Sequence, residues 1–129
     1  MEKQKYAAIV LAAGSGKRMN SQVHKQYLII QDRPVLYYSL KEFEDSAVDE
    51  IVLVVGKGEE EFCRREIVDK YGISKVKAIV EGGKERYHSV FEGLKQTSDA
   101  DYVLIHDGAR PFVNQDIIRR CMLEVPEYQ

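Results

Sequence analysis

The chain has 129 residues, of which 44% are hydrophobic and 31% are charged, and its formal net charge is −2. This length suits a single domain. The acidic balance excludes nucleic acid as the main partner, because domains that bind it carry a basic surplus. The longest uncharged apolar run, Tyr6 to Ala13, is far shorter than the roughly 20 residues that cross a bilayer. Cys63 and Cys121 form no C-x-x-C pair, which favours a reduced, cytoplasmic protein.

Four short apolar runs alternate with segments of helical period along the chain. Continuous apolar runs of this length are typical of parallel strands that helices cover on both faces. The predicted strands are Tyr6–Leu11, Ile51–Val55, Val76–Val80 and Tyr102–His106. The alternation predicts right-handed crossovers and an α/β fold with a doubly wound, mostly parallel sheet.

Apolar residues at helical spacing predict a helix after each of these strands. Pro34 suits an early position of the first helix, Gly72 the end of the second, and Asn114 the N-cap of the fourth. The apolar residues that define the helices are Leu36, Leu40 and Phe43, then Cys63, Ile67 and Tyr71, then Val90, Phe91 and Leu94, then Ile117, Ile118, Cys121 and Met122.

The first strand leads into a glycine loop with adjacent cations. The segment reads Leu11-Ala12-Ala13-Gly14-Ser15-Gly16-Lys17-Arg18-Met19, and Lys25 follows shortly after it. Small residues let backbone N–H groups approach an anion closely, so the loop suits phosphates. A dinucleotide fingerprint would need glycine at position 19, and a P-loop would need glycine at 11 and Ser or Thr at 18. A plain turn with solvated basic residues remains the alternative.

A second glycine segment follows the third strand. It reads Glu81-Gly82-Gly83-Lys84-Glu85-Arg86-Tyr87-His88-Ser89-Val90. Paired glycines at the carboxyl end of a strand let the backbone read the edge of a flat base. Arg86 suits a phosphate, and Ser89 suits a hydrogen bond. The alternative is a tight turn followed by the start of a helix.

A third segment, His106-Asp107-Gly108-Ala109-Arg110-Pro111, follows the fourth strand. Asp107 is a natural Mg²⁺ ligand, because Mg²⁺ prefers one or two carboxylates together with substrate phosphates. Arg110 suits a further phosphate, although a salt bridge between Asp107 and Arg110 would also explain the pair. The three histidines have no metal-ligand spacing. His106 is predicted to be a structural hydrogen bonder, and His24 and His88 are predicted to be exposed.

Together these segments resemble the 2-C-methyl-D-erythritol 4-phosphate cytidylyltransferase family of the non-mevalonate isoprenoid pathway. The matching pieces occur in the family's order and cover nearly the whole chain. They are the first glycine loop, Lys25-Gln26-Tyr27, Gly82-Gly83-Lys84-Glu85-Arg86 with Ser89-Val90, and His106-Asp107-Gly108-Ala109-Arg110-Pro111. The resemblance implies a Rossmann-like nucleotidyltransferase fold, with residues 1–129 as its nucleotide-binding core. It also implies transfer of CMP from CTP to 2-C-methyl-D-erythritol 4-phosphate, with release of pyrophosphate.

The resemblance implies a role for each motif. Arg18 and Lys25 would be catalytic and would stabilise charge on the α-phosphate. The other implied nucleotide-binding residues are Ala12, Ala13, Gly14, Ser15, Gly16 and Lys17 for the triphosphate, and Gly82, Gly83, Lys84, Arg86 and Ser89 around the base. Asp107 would hold Mg²⁺ and, with Gly108 and Arg110, would place the sugar phosphate.

The family also sets expectations beyond these residues. Its members are considerably longer, and their C-terminal part supplies basic residues for the acceptor and an arm that builds a homodimer. We therefore expect this chain to form an incomplete version of the fold, with one side of the sheet uncovered after the fourth strand. Gly108 stands where some relatives carry alanine, and we expect it to loosen the backbone there.

Other functions fit the same motifs. A ribitol-5-phosphate cytidylyltransferase is the nearest, although Ala13-Gly14 favours the isoprenoid enzyme, since the ribitol enzymes tend to carry two glycines there. A second alternative is a chain that binds CTP but has no activity of its own. A third is a non-catalytic nucleotide-binding module. A sugar-nucleotide pyrophosphorylase with another base is a further alternative.

Overall fold

A computed structural model describes residues 4–12, 29–30, 33–108, 115 and 118 of the chain. The strands are β1 (Tyr6–Leu11), β2 (Ile29–Ile30), β3 (Arg33–Pro34), β4 (Glu50–Val55), β5 (Val76–Glu81) and β6 (Tyr102–Asp107). The helices are α1 (Val35–Glu44), α2 (Glu60–Cys63), which continues as a π-helical segment over Arg64–Asp69, and α3 (Arg86–Lys95). All four strands predicted from apolar runs are confirmed, and their bounds differ from the predictions by at most one residue at an end.

These four strands form one parallel sheet in the order β5-β4-β1-β6. Strands β2 and β3 form a separate, short antiparallel pair. Strand β4 is buried along its whole length, and β1 is buried after its first residue. Because both strands lie inside the sheet and helices cover both faces, the runs Ala7–Leu11 and Ile51–Val55 contain no polar residue. The exception is the buried Glu50 at the start of β4, which forms ion pairs with Lys5 and Lys77.

The helices cover the two faces of the sheet unequally. One face packs against α1 and α2 through a large buried cluster that includes Val10, Leu36, Leu53 and Ile67. The other face packs against α3 through a smaller cluster of Ile9, Leu11, Val52 and Val54, with Val90 packed against it. This pattern confirms the doubly wound α/β fold.

The strand order explains why α3 lies on the opposite face. From β1 the chain proceeds outward to β4 and β5, and it then returns past β1 to form β6 on the other side. Since crossovers between parallel strands are right-handed, this change of direction places α3 on the other face. It also creates a topological switch point between β1 and β6, where open α/β sheets bind their ligands.

Helix α3 is confirmed, but two of the apolar residues that predicted it point away from the sheet. Phe91 is 58% exposed and Leu94 is 42% exposed. The helix instead approaches β1 through Gly93, where an added Cβ would lie 2.8 Å from Cγ2 of Ile9. On β6, Ile105 is 42% exposed. Apolar side chains of α3 and β6 are therefore open to solvent among the residues that the structure describes.

The remaining helix predictions are supported where residues are described. Gly72 follows the π-helical segment with a φ of +66°, a value that suits the end of a helix. Residues 115 and 118 are helical, and Ile118 joins the buried cluster of the α1 face. Asn114, Ile117, Cys121 and Met122 lie outside the described residues, whereas Cys63 is buried. None of the helices in the described part of the chain has the length and apolar character of a membrane span.

Candidate functional site

The three glycine-containing segments begin at the same edge of the sheet. Their first loop residues each donate a backbone N–H to a carbonyl of the neighbouring strand. Ala12 donates to β4 at 2.6 Å, Gly82 donates to β4 at 2.8 Å, and Gly108 donates to β1 at 2.8 Å. These bonds extend the ladders past the ends of the strands, so the start of each loop is held in register with its neighbour. The carboxyl edge of the sheet is therefore the candidate site.

The first and third segments are direct neighbours at this edge. Leu11 pairs with Asp107 in the last step of the β1–β6 ladder, so Ala12 and Gly108 leave adjacent strands side by side. Their position is the switch point between β1 and β6. The second segment leaves β5, which is separated from β1 by β4.

Gly108 does not loosen the backbone as we expected. The residue is buried, and its N–H is bonded to the Leu11 carbonyl oxygen. A Cβ at this position would lie 2.8 Å from Cδ1 of Leu36 and 3.2 Å from that same Leu11 oxygen. Glycine at 108 therefore permits close packing of the third segment against β1 and α1, which contradicts the predicted loosening.

Ser89 lies beneath the second glycine segment. Its side chain is buried, with only 1% exposure, and its Oγ accepts the N–H of Gly83 at 3.3 Å. Gly83 itself is exposed, as are Lys84 and Arg86. In this structure Ser89 therefore supports the loop from inside, while the glycine and the two cations are accessible from solvent.

His106 and Asp107 end strand β6. The Nε2 atom of His106 lies 3.2 Å from Oγ of the buried Ser39, and the ring packs edge-on against Phe43 with centroids 5.7 Å apart. These contacts confirm the prediction that His106 is a structural hydrogen bonder. Asp107 is half-buried at the end of the strand, next to the first loop.

Carboxylates at the β4 and β5 ends of this edge were not singled out by the sequence patterns. Glu81 accepts the N–H of Gly58 at 2.9 Å, and Glu59 accepts the N–H of Gly56 at 3.2 Å. Desolvation, together with the charge and hydrogen bond of Glu81, raises the pKa of Glu60 above its ordinary value. These acids order the loop after β4 and give its surroundings negative charge.

The other predicted site residues lie outside the described residues. These are Ala13, Gly14, Ser15, Gly16, Lys17, the catalytic candidates Arg18 and Lys25, and Arg110. Within the described ranges, no group of three or more histidine, cysteine or acidic side chains is placed to hold a metal ion. A single carboxylate such as Asp107 nevertheless fits the way Mg²⁺ binds beside nucleotide phosphates, with the phosphates and water as its other ligands.

Comparisons with known proteins all indicate the same family. The family model for 2-C-methyl-D-erythritol 4-phosphate cytidylyltransferase matches residues 6–129. A curated protein of that name from Lachnoclostridium phytofermentans is 54% identical over 124 residues, which are 96% of this chain and 53% of the relative. Another, from Lachnospira eligens, is 56% identical over 115 residues, which are 88% of this chain and 50% of the relative.

A solved structure gives the same result for the fold. The 4-diphosphocytidyl-2C-methyl-D-erythritol synthase from Anaerococcus prevotii superposes with a TM-score of 0.77 at 30% sequence identity. The superposition covers 95% of this chain and 51% of that one. The chain thus spans about half the length of these relatives.

Proposed function

We propose that this chain, which belongs to the 2-C-methyl-D-erythritol 4-phosphate cytidylyltransferase family, binds CTP at the carboxyl edge of its sheet. In the proposed reaction CMP passes to 2-C-methyl-D-erythritol 4-phosphate and pyrophosphate is released. The observation that carries this proposal is the convergence of the three segments at one edge, with Ala12 and Gly108 on adjacent strands at the switch point.

The arrangement supports one orientation of the nucleotide. The triphosphate would lie over the β1 loop, near Asp107 and away from the carboxylates that surround Glu81. The cytosine would lie at the exposed Gly83, whose backbone is accessible because Ser89 supports it from within. A neutral base tolerates neighbouring carboxylates better than a phosphate does, because phosphates repel like charges.

The proposed reaction requires no protein nucleophile. A phosphate oxygen of the acceptor attacks the α-phosphorus of CTP and forms a new P–O bond. The bond from the α-phosphorus to the bridging oxygen breaks, and its electron pair leaves with pyrophosphate. Phosphoryl-type transfer depends mainly on positioning and on electrostatic stabilisation, so Arg18 and Lys25 would act by offsetting the charge that develops on the α-phosphate.

We further propose that Asp107 holds Mg²⁺ when the nucleotide is bound. The ion would neutralise phosphate charge, and the half-buried carboxylate at the end of β6 is the residue that would retain it. A cytoplasmic location is proposed from the cysteine pattern, and a homodimer from the family resemblance alone.

The acceptor is tested by measuring pyrophosphate release from CTP and Mg²⁺ with each of two polyol phosphates. Release that depends on 2-C-methyl-D-erythritol 4-phosphate is expected, and release that depends on ribitol 5-phosphate would instead favour the related cell-wall enzyme. The assay is also run on a chimera that joins this chain to the remaining C-terminal length of the Lachnoclostridium phytofermentans relative. Activity in the chimera but not in this chain would show that turnover requires the C-terminal part of the relative.

A further inference from the structure

His88 lies in the first turn of α3, directly after the glycine pair. The helix begins at Arg86 with Glu85 as its N-cap, so His88 occupies the third helical position. That position commonly holds Glu or Gln, whose side chain reaches back to the N-cap N–H. Here the histidine ring takes this place, since Glu85 donates its N–H to Nδ1 of His88 over 3.4 Å.

The direction of this bond makes the histidine the acceptor. A backbone N–H can only donate, so Nδ1 of His88 accepts in this contact. The bond satisfies one of the N–H groups that have no partner within the helix at its start. An acceptor at position 88 is therefore part of how the chain enters α3.

The same side chain is packed against the glycine loop. A Cβ added to Gly83 would overlap Cβ of His88 and would lie 3.0 Å from its Cγ. The Gly83 backbone thus lies directly on the base of the histidine side chain, at a distance that only glycine allows. This contact explains a glycine at 83 by the shape of the first turn of α3.

A second contact to Gly83 comes from Ser89, the residue that follows His88 in α3. The N–H of Gly83 donates to Oγ of Ser89, which is buried. Two consecutive residues of α3 therefore restrain one exposed glycine, one by a hydrogen bond and the other by packing. Any change that moves the first turn of α3 will move the backbone of Gly83 with it.

We infer that His88 is a positioning residue for base recognition. It accepts the Glu85 N–H and packs against Gly83, and these contacts fix the Gly82–Gly83 loop in the conformation that selects cytosine. This inference rests on the proposed function, because it takes that loop as the base site. His88 acts through the backbone of the loop, so the role requires a hydrogen-bond acceptor of suitable length at this position.

A matched pair of variants separates the acceptor from the bulk of the ring. His88→Leu keeps a side chain of similar size and removes the acceptor, whereas His88→Gln supplies an amide oxygen that can reach the N-cap N–H. We expect His88→Leu to reduce the preference for CTP over UTP about tenfold, in line with the loss of one hydrogen bond. We expect His88→Gln to retain the preference of the parent. Affinity for inorganic triphosphate should be unchanged in both variants, since the phosphate subsite lies over β1.

Amide hydrogen exchange in the nucleotide-free chain provides a second, independent measurement. The Glu85 and Gly83 amides should exchange about tenfold faster in His88→Leu than in the parent, and at the parental rate in His88→Gln. Parental exchange and parental CTP preference in His88→Leu would overturn the inference, and so would equal losses in the two variants. If the parent itself shows no preference for CTP, the proposed function and the base-selecting role both fail, whereas the exchange rates still report whether His88 holds the loop.

Discussion

Replacing Arg18 or Lys25 by alanine is expected to lower the rate of pyrophosphate release by at least about 10³-fold, as removal of a cation that acts on a transferring phosphoryl group does in other enzymes. The physical reason is that charge accumulates on the oxygens of the α-phosphate as the acceptor attacks. A cation held close to those oxygens stabilises this state more than the bound substrate. We therefore expect the loss to appear mainly in turnover, with a smaller loss in CTP affinity.

The measurement is the initial rate of CTP- and acceptor-dependent pyrophosphate release, in this chain or in the chimera. Arg64→Ala and Lys70→Ala serve as matched controls, because both side chains are exposed and belong to the π-helical segment or its end. The controls should keep the parental rate. Parental rates in Arg18→Ala and Lys25→Ala would remove both residues from the mechanism.

Replacing Asp107 by asparagine is expected to remove most of the gain in CTP affinity that Mg²⁺ provides, a loss of about tenfold or more. Asparagine keeps the size of the side chain but lacks the negative charge that a hard cation requires. The half-buried position at the end of β6, beside the first loop, places this charge next to the proposed triphosphate site.

This prediction is checked by titrating CTP into each chain with Mg²⁺ and with a chelator. Asp45→Asn is the matched control, because Asp45 is an exposed aspartate between the end of α1 and the start of β4, at the opposite edge of the sheet. The control should show the parental dependence on Mg²⁺. Equal affinity with and without the metal in the parent would contradict the proposed role of Asp107.

The positions of the four main strands and their parallel direction could be predicted because burial on both faces leaves a direct trace in the sequence. Strand β4 is buried at every residue, so its apolar run has no interruption. The position of the site followed from the same prediction, since loops after parallel strands meet at one edge. Ala12, Gly82 and Gly108 lie at that edge as expected.

The finer features could not be read from the sequence because they depend on which way side chains point. The helical spacing of apolar residues predicts that Phe91 and Leu94 face the sheet. In the structure Gly93 lies against Ile9 instead, and Phe91 and Leu94 are exposed. The sequence predicts Ser89 as a ligand contact, but it does not show that the buried hydroxyl also accepts the N–H of Gly83.

The contacts around His88 and Gly108 could not be predicted from the sequence either. The acceptor role of His88 depends on the residue at which α3 begins, and helix boundaries are the least reliable part of a prediction from sequence. The close packing of Gly108 depends on Leu36, a residue far away in the chain. Neither contact has a local sequence signal that differs from an ordinary loop residue.

The most direct test of the proposed function is calorimetric titration of this chain with CTP, UTP, ATP and GTP in the presence of Mg²⁺. We expect CTP to bind with clear preference over the other three nucleotides, because the exposed backbone at Gly83 would read the cytosine edge. A folded chain that binds no nucleotide, or binds all four equally, would contradict the assignment of a cytidine nucleotide site to this edge of the sheet.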